Sequence, residues 1–566
     1  MGHALLSARA IVLLFLLNPY IAPYASLLHV GLKYSQGTEY LRYSFIIDEE
    51  GGALVRIMFH SSRASGSFWI FVPRFSEWLN YTTKGRVFRW TLEDPEKYTG
   101  SQYYFYKVLE FQFISDGSEF EIVVEYNFSL AAMVVETEST HGIFYSPQIG
   151  FKGGGEFEAA VIFPPKFRAD LNEALAVGGS LYRPDKALSN SSFVLFRGIP
   201  ATENLLRIQI GFRAIDKEPS SIILESGVFR FNTVKRYEPY AWKILNLYNL
   251  TYNMLINLFN TTLGQYSPSG ENKGVTIRFF VPDFDSLMSI GGYVPFSGKD
   301  LGDIYVNLMF TRYIEGYLEV IALHELIHHF LWKAGISPQN LLWFHEGMAQ
   351  YVSLEVAGKL GYEGAKMIKD EIEDNIKNIV LTYNDLSFLL DWTPTHAPRD
   401  LNTLYTAAYY VVNRLAAEYG GLDYYARFFK ILSGKTLRDN VALCYYLSVA
   451  ANESVADKLN SFGFNIPDLY AYWPLISEVE EAIKKIDSSN VFLKPFRDLA
   501  NLIYRVGVSG ERIFVEWRHF ILLAALLTAY FAPLLALLAY SSLIFTALII
   551  LLKVKGVLSD RASKAS

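Results

Sequence analysis

A long apolar run near the C-terminus constrains this chain more than any other feature. From Phe520 to Leu552 the sequence has no Asp, Glu, Lys, Arg or His. The run exceeds the roughly 18 apolar residues that predict a membrane-spanning helix. We therefore expect one tilted transmembrane helix within 516–552, with a kink at Pro533. A hairpin of two short spans is the alternative, although each half would be shorter than the bilayer is thick.

The residues on either side of this run indicate how it is oriented. Trp517 stands before it, where aromatic side chains favour the membrane interface, and a basic tail at 553–566 follows it. Basic residues next to a span favour the cytoplasmic side. We expect a single-pass protein of the cell membrane with a cytoplasmic C-terminus and its main body outside.

The N-terminus supports an external location. Arg9, the apolar run Ala10–Leu17 and the helix-breaking Pro19 and Pro23 form the pattern of a signal peptide or an uncleaved signal anchor over 1–25. Asn-x-Ser/Thr tripeptides, which are candidate N-glycan sites, lie between the two apolar ends. These are Asn80, Asn127, Asn190, Asn249, Asn260 and Asn452.

Composition excludes several classes of function. A net charge of −6 and the absence of a long basic run argue against nucleic acid as a partner. Cys444 is the only cysteine, so neither an intrachain disulfide nor a zinc cluster of thiolates can form. With 566 residues, two or three domains are expected.

The pattern along the chain predicts an α+β multidomain protein. Residues 26–230 alternate polar and apolar residues in short runs rich in β-branched and aromatic residues, which predicts an N-terminal β-sandwich or large antiparallel saddle. Residues 231–470 begin with mixed elements and become mostly helical, and 471–515 reads as a helical linker.

One segment of the helical part carries the chemistry. His324, Glu325 and His328 form the pattern H-E-x-x-H. Histidines four residues apart lie on one helical face, so both imidazoles can reach one metal ion. Glu325, beside the first histidine, can take a proton from a metal-bound water without binding the metal.

A third ligand is predicted on the next helix. Glu346 follows a break at "KAGISPQN", which lets a second helix return antiparallel to the first. A catalytic zinc takes three protein ligands and keeps one open position, so His324, His328 and Glu346 would hold one Zn²⁺. The neighbouring His329 and His345 are expected to support the ligands or to pack.

The motifs resemble those of a known family. H-E-x-x-H followed by W-F-x-E-G-x-A-x-Y looks like the gluzincin metallopeptidases, above all the aminopeptidase-N-like and glycyl-aminopeptidase-like families. The resemblance implies a thermolysin-like catalytic domain over 231–470, a β-rich domain before it, and a peptide or protein substrate. It also implies that Glu346 is a zinc ligand.

A further segment, "LYTAAYYVVNRLAAEYGG", resembles the helix whose tyrosine stabilises the oxyanion in aminopeptidase-N-like enzymes. The resemblance assigns this role to Tyr405, because a phenol can donate to the charge that develops in acyl transfer. Tyr409, Tyr410 and His396 are the rivals for it.

The chain departs from the family where substrate binds. The family's G-x-M-E-N motif supplies a glutamate that holds the substrate's free amine, whereas "SIGGYVPFSG" contains no glutamate. Gly291 and Gly292 are retained and could let a substrate backbone pair with an edge strand. Exopeptidase and endopeptidase action therefore both remain open.

The sequence thus predicts a membrane-anchored extracellular zinc metallopeptidase. Two alternatives remain: a catalytically inactive peptidase-like surface protein that binds partners, and a zinc hydrolase of a non-peptide substrate.

Overall fold

The computed structural model describes most of the chain between Glu39 and Ala565. The described ranges are 39–117, 119–134, 141–200, 202, 204–215, 221–264, 274–284, 286–297, 301–383, 385–437, 439–508 and 515–565. The expected signal segment 1–25 lies outside them. Backbone contacts divide the chain into two units: unit 1 runs up to Ala131 and includes Phe144–Phe212, and unit 2 comprises Ala132–Ile143 and Arg213–Ser566.

Short strands fill the first part of the chain, where the alternating pattern predicts them. Helix α1 (Glu96–Thr99) interrupts them once. The strands are β1 Glu39–Ile47, β2 Ala53–Ser61, β3 Ser65–Pro73, β4 Trp78–Lys84, β5 Arg86–Glu93, β6 Tyr106–Ile114, β7 Phe120–Phe128, β8 Ala132–Val134, β9 His141–Tyr145, β10 Ile149–Gly150, β11 Glu156–Ile162, β12 Phe167–Val177, β13 Leu181–Tyr182, β14 Phe193–Ile199 and β15 Leu205–Ala214.

Two of the sheets that have strands in unit 1 face each other. One has the order β14-β11-β1-β2-β7-β4, and the other has the order β3-β6-β5. Phe59 of β2 stacks on Phe68 of β3 at 3.9 Å between ring centroids, and Phe120 of β7 stacks on Phe113 of β6 at 4.2 Å. These aromatic pairs form the dry core that a β-sandwich requires.

The β-rich first domain is therefore confirmed, with one difference in strand pairing. The larger sheet is not purely antiparallel, because β1 pairs with β11 in parallel register. Parallel neighbours need a long connection between them, and the intervening strands β2 to β10 supply it.

Unit 2 begins with a five-stranded sheet in the order β16-β17-β18-β20-β19. Strands β17, β18 and β20 run parallel, and β19 pairs antiparallel with β20 at the edge. Strand β16 and the start of β17, assigned above to the N-terminal domain, thus belong to the sheet of unit 2. The strands are β16 Ser221–Ser226, β17 Phe229–Val234, β18 Val275–Phe280, β19 Gly292–Tyr293 and β20 Ile304–Asn307.

Helices make up most of the rest of unit 2. They are α2 Glu238–Phe259, α3 Tyr317–Lys333, α4 Leu342–Lys359, α5 Glu363–Thr382, α6 Leu401–Tyr419, α7 Gly421–Leu432, α8 Asn440–Ala451, α9 Ala456–Ser461, α10 Trp473–Lys485, α11 Lys494–Val508, α12 Val515–Tyr530 and α13 Ala532–Ala565.

The helix with the H-E-x-x-H motif, α3, is held at both ends. The Glu319 carboxylate accepts a hydrogen bond from the Gly316 N–H at 2.8 Å, which ties the first turn to the residue before the helix. Gly335, with φ +92°, turns the chain after its end. In the middle, the Tyr248 hydroxyl of α2 donates to the Ala322 carbonyl at 2.7 Å. These contacts fix the rotation of α3 and therefore the direction of its functional side chains.

The apolar C-terminal run is two helices rather than one. The chain breaks at Phe531, between α12 and α13, because Pro533 has no N–H to continue a helical ladder. Within the described residues, only Ala532–Lys555 is long and apolar enough to cross a membrane. The expected span 516–552 is corrected accordingly: its first part, α12, packs through Ala525, Leu526 and Ala529 against α10 and α11.

Candidate metal centre

Helix α3 presents two imidazoles to one point. The rings of His324 and His328 are 4.8 Å apart between centroids and nearly perpendicular. The Nε2 atom of each ring faces the same carboxylate oxygen, Glu346 Oε2, at 3.1 Å from His324 and 3.4 Å from His328. The i, i+4 spacing therefore brings both histidines to one site, as the sequence predicts.

Helix α4 supplies the carboxylate of this three-residue set. The candidate ligand atoms of His324, His328 and Glu346 all lie within 4.8 Å of one another. Zinc bonds of about 2.0–2.1 Å in tetrahedral geometry separate neighbouring ligand atoms by about 3.3 Å, and the two distances to Glu346 Oε2 are close to that separation. Two imidazole nitrogens and one carboxylate are also the donor set of many catalytic zinc sites. The residues therefore fit a zinc ion.

Burial and mutual attraction set the charges of this set. Burial opposes charge on Glu346, but His328 and His324 outweigh it and hold the pKa of Glu346 below its usual range. Burial also opposes charge on His324, and the Glu346 carboxylate outweighs it, so the pKa of His324 is raised. At His328 burial dominates and lowers the pKa well below its usual value. An anionic carboxylate and a neutral imidazole at His328 are the protonation states that metal binding needs.

Gly347 allows α4 to pack closely against α6. A Cβ at this residue would lie 2.6 Å from the Ala408 carbonyl oxygen and 2.8 Å from a Val412 methyl group, both on α6. Only glycine allows α4 and α6 to approach this closely. The residue after Glu346 thus brings the third ligand next to the helix that carries Tyr405.

His345 contacts one of the candidate ligands directly. Its Nδ1 lies 2.8 Å from the Nδ1 of His328, and the two rings stack at 4.8 Å between centroids. Burial lowers the pKa of His345 to about 3, which keeps this imidazole neutral and able to accept a hydrogen bond. His328 can then donate from Nδ1 and present its Nε2 lone pair to a metal. Of the two supporting histidines considered from sequence, the structure gives His345 a ligand as its partner.

His329 lies elsewhere. Burial, helped by Lys333, lowers the pKa of His329 to about 4, and the ring interacts with the Gly302 backbone. Its Nε2 has no hydrogen-bond partner among the described residues.

Glu325 is buried beside the histidine pair. Its side chain is 5% exposed. Burial and the nearby Glu346 carboxylate raise the pKa of Glu325 to about 8, although His324 opposes this. A carboxyl group whose pKa lies near neutrality can both accept and return a proton.

The glycine pair lies next to Glu325. Strand β19 includes Gly292 and forms the sheet edge, and a Cβ on Gly292 would lie 2.8 Å from both Cγ and Oε1 of Glu325. A Cβ on Gly291 would meet the Ile321 side chain at 3.2 Å. The edge strand that sequence analysis proposed for substrate binding is thus positioned alongside the motif helix.

Tyr405 shares a cavity with Glu346, the third candidate ligand. The cavity has a volume of about 380 Å³, and its lining includes Glu346, Tyr405 and the turn 392–397. The Tyr405 ring lies 6.4 Å from that of His324 and contacts Trp392 edge-on at 5.2 Å. The Glu346 charge, followed by burial, raises the pKa of Tyr405 well above its usual value, so its hydroxyl keeps its proton and can donate.

The other three candidates for the oxyanion-stabilising role lie in different surroundings. His396 is exposed and lines the same cavity from the turn in which Thr393 and His396 pair through their backbones. Tyr409 is buried one turn along α6, and its pKa is raised by burial and then by Glu355 rather than by the ligand set. Tyr410 packs against Phe462. The structure thus leaves Tyr405 and His396 in the cavity.

Trp392 also lines this cavity and was not predicted from the sequence. A lone tryptophan in the loop "LDWTPTHAPRD" carries no spacing signal that could connect it to the ligands.

Comparisons with solved structures find similar chains at low identity. A zinc metallopeptidase of the M1 group from Deinococcus radiodurans matches with 13% identity and a TM-score of 0.26, over 75% of this chain and 91% of that one. A mutant of it bound to a Tyr-Ser-Ala substrate matches with 12% identity and a TM-score of 0.26, over 76% and 94%. An aminopeptidase N family protein from Idiomarina loihiensis matches with 11% identity and a TM-score of 0.25, over 77% and 75%.

No family model and no curated protein matches the chain. The chemistry of the site is therefore inferred from the chain's own residues.

Proposed function

We propose that this chain is a zinc-dependent metallopeptidase anchored in the cell membrane by α13, with its body outside and its C-terminus in the cytoplasm. The observation that carries the catalytic proposal is the convergence of His324 Nε2, His328 Nε2 and Glu346 Oε2 beside the buried Glu325. A buried carboxyl group beside three candidate ligand atoms is the arrangement that a general base in metal-assisted hydrolysis needs.

Each residue has a role in peptide hydrolysis. A zinc ion held by His324, His328 and Glu346 would supply a Lewis acid and an acidified water. Glu325 accepts the proton of the attacking water and passes it to the departing amine nitrogen. Tyr405 donates its hydroxyl proton in a hydrogen bond to the carbonyl oxygen as negative charge develops there.

Substrate binding is assigned to the edge of the sheet. The exposed edge strand β19, at Gly292, can pair with an extended peptide, because glycine leaves the backbone accessible beside Glu325. Glu346, a ligand, is the only carboxylate lining the described cavity. Nothing in that lining would require a free substrate amine, which supports cleavage of N-terminally blocked peptides as well as free ones.

The experiment uses the full chain in detergent micelles, with metal content measured by mass spectrometry. One zinc per chain, lost on Glu346→Ala, together with peptide turnover that Glu325→Gln removes, would support the proposal. Stoichiometric zinc with partner binding unaffected by Glu325→Gln and no turnover of any peptide would indicate a surface binding protein. Absence of bound zinc would overturn the proposal.

Paired substrates separate exopeptidase from endopeptidase action. The same peptide is offered with a free and with an acetylated N-terminus, and its fragments are identified by mass. Cleavage of the acetylated peptide at internal bonds would establish endopeptidase action, and cleavage of the free peptide alone would establish dependence on the amine.

A further inference from the structure

Helix α12 is apolar on its exposed face as well as on its buried one. Its buried face packs through Ala525, Leu526 and Ala529 into the cluster shared with α10 and α11. The opposite face has large apolar side chains at helical spacing, with 38–63% of each side chain exposed: Phe520, Leu523, Leu527 and Tyr530. A surface helix of a soluble domain normally has charged and polar residues on its exposed face. We therefore expect this face of α12 to contact an apolar environment.

Helix α11 also has a stripe of exposed apolar side chains. Leu499, Leu502 and Val506 are 44%, 60% and 44% exposed and follow each other at helical spacing, in line with Phe492 just before the helix, which is 60% exposed. Its charged residues Lys494, Arg497, Asp498 and Arg505 occupy a different side of the helix. Such a division between an exposed apolar stripe and a polar flank is typical of helices that lie in a membrane interface.

These two stripes together are called the apolar foot: Phe492, Leu499, Leu502, Val506, Phe520, Leu523, Leu527 and Tyr530. An apolar surface of this extent on a single helical module indicates an interaction surface.

The connection to α13 identifies what covers the foot. Phe531 is the only residue between α12 and α13, the candidate span. In addition, the Phe492 ring contacts the Tyr540 ring of α13 at 5.1 Å between centroids. At 1.5 Å per residue, Tyr540 lies about 12 Å along α13, well inside the candidate span Ala532–Lys555.

The contact between Phe492 and Tyr540 indicates how deep the apolar foot lies relative to the bilayer. One leaflet contributes about half of a hydrocarbon core roughly 30 Å thick. If α13 crosses the bilayer over Ala532–Lys555, a side chain at the level of Tyr540 lies within the first leaflet rather than above it.

We propose that α11 and α12 are embedded in the leaflet that α13 enters first, with the apolar foot against lipid acyl chains. The inference rests on the proposed membrane anchor and extends it: the chain has an interfacial helical hairpin in addition to a single spanning helix. The partner is the lipid bilayer itself.

Depth-dependent quenching tests this in the full chain, reconstituted in phosphatidylcholine nanodiscs that contain spin-labelled lipid. Single cysteines carrying an environment-sensitive fluorophore are placed by Leu502→Cys on α11, Leu527→Cys on α12 and Ile544→Cys on α13. Lys494→Cys, on the charged side of α11, is the matched control. Cys444 is buried and stays in place, and the parent chain controls for its labelling.

The expected result is strong quenching at positions 502, 527 and 544 and weak quenching at 494. Quenching at 544 without quenching at 502 and 527 would leave the anchor intact and overturn the inference. Absence of quenching at 544 would show that the anchor itself fails. An apolar emission spectrum at 502 without lipid quenching, together with two chains per disc, would identify a second copy as the occupant and also overturn the inference.

A cysteine variant counts only if it binds as much zinc as the parent chain and has the same circular dichroism spectrum. Tyr530→Cys on α12 and Val506→Cys on α11 replace any variant that does not, because both positions are also exposed.

Discussion

The Nδ1 atoms of His328 and His345 lie 2.8 Å apart, so a zinc-ligand candidate on α3 is held by an imidazole from α4. Partners that accept the second N–H of a ligating histidine fix its orientation and raise its basicity. In many metal sites that partner is a carboxylate or a carbonyl; here it is a neutral histidine next to Glu346 in sequence. One short segment of α4 therefore contains both the third candidate ligand, Glu346, and the residue that contacts the second, His345.

Replacing His345 tests this support. His345→Phe keeps a ring stacked on His328 but removes the acceptor, so we expect zinc affinity to fall by about 10- to 100-fold. Competition with a chromophoric chelator measures it. His329→Phe, on the neighbouring position of α3, is the control and should leave zinc affinity unchanged. Equal losses for both variants would mean that His345 contributes only to packing.

Removing the proton acceptor separates chemistry from metal binding. Glu325→Gln is expected to lower kcat by about 100- to 10,000-fold, because general base catalysis contributes that much, while zinc content stays at the level of the parent chain. Glu319→Gln is the matched change on the same helix. It weakens the hydrogen bond from the Gly316 N–H at the start of the helix and should lower the melting temperature without changing the kcat of the folded enzyme. A normal kcat in Glu325→Gln would remove this residue from the mechanism.

Two tyrosines of α6 provide a matched pair. Tyr405→Phe removes a donor beside Glu346 and should lower kcat by about 100- to 1,000-fold, as loss of an oxyanion donor does, with little change in KM. Tyr409→Phe removes a buried hydroxyl that has no hydrogen-bond partner among the described residues, so activity and stability should be kept. Comparison with His396→Ala shows whether the imidazole in the same cavity shares the role. A full effect in His396→Ala with none in Tyr405→Phe would reassign it.

Alanine is expected to be tolerated less well at Gly292 than at Gly291. In Gly292→Ala the new methyl group would lie 2.8 Å from Glu325 Cγ and 2.9 Å from the Tyr305 carbonyl oxygen, so either the strand or the glutamate must move. A displacement of this kind can cost about 100-fold in kcat/KM. Gly291→Ala meets the flexible end of Ile321 and should cost much less. Steady-state kinetics of both variants, with zinc content as the check on folding, would reveal the difference; equal effects would argue against the placement of Gly292.

The buried carboxyl group makes the metal-free chain sensitive to pH. The folded-state pKa of Glu325, about 8, exceeds the unperturbed 4.5. Between these values the unfolded chain releases the proton and the folded chain keeps it, so the free energy of unfolding falls as pH rises from 4.5 to 8. At about 1.4 kcal/mol per pKa unit the loss is of the order of 5 kcal/mol.

Chelator-treated protein is the material for this measurement. Denaturant unfolding at pH 5 and pH 8.5 should show the parent chain losing stability relative to Glu325→Gln, whose amide does not titrate. Glu363→Gln, at an exposed position at the start of α5, controls for the removal of a negative charge. A constant difference between the parent chain and Glu325→Gln across this range would contradict the prediction.

The sequence alone determined the features that depend on local period and composition. The spacing of His324 and His328 on one face follows from the geometry of a single helix, and the strands of unit 1 follow from alternation of polar and apolar residues. The apolar C-terminus likewise identified a candidate span from composition. None of these needs knowledge of what another segment does.

Tertiary structure decided the contacts between segments. The approach of Glu346 to the histidine pair depends on how α4 packs against α3 and α6, which Gly347 makes possible. The contact of His345 with His328 and the contact of Gly292 with Glu325 also depend on how separate elements pack. The chain pattern in "TAYFAPLLALL" could not show that α12 leaves the apolar run to pack on α10 and α11. The physical reason is common to all of them: spacing along one element is set by the backbone, whereas distances between elements are set by side-chain volumes that meet only in the folded protein.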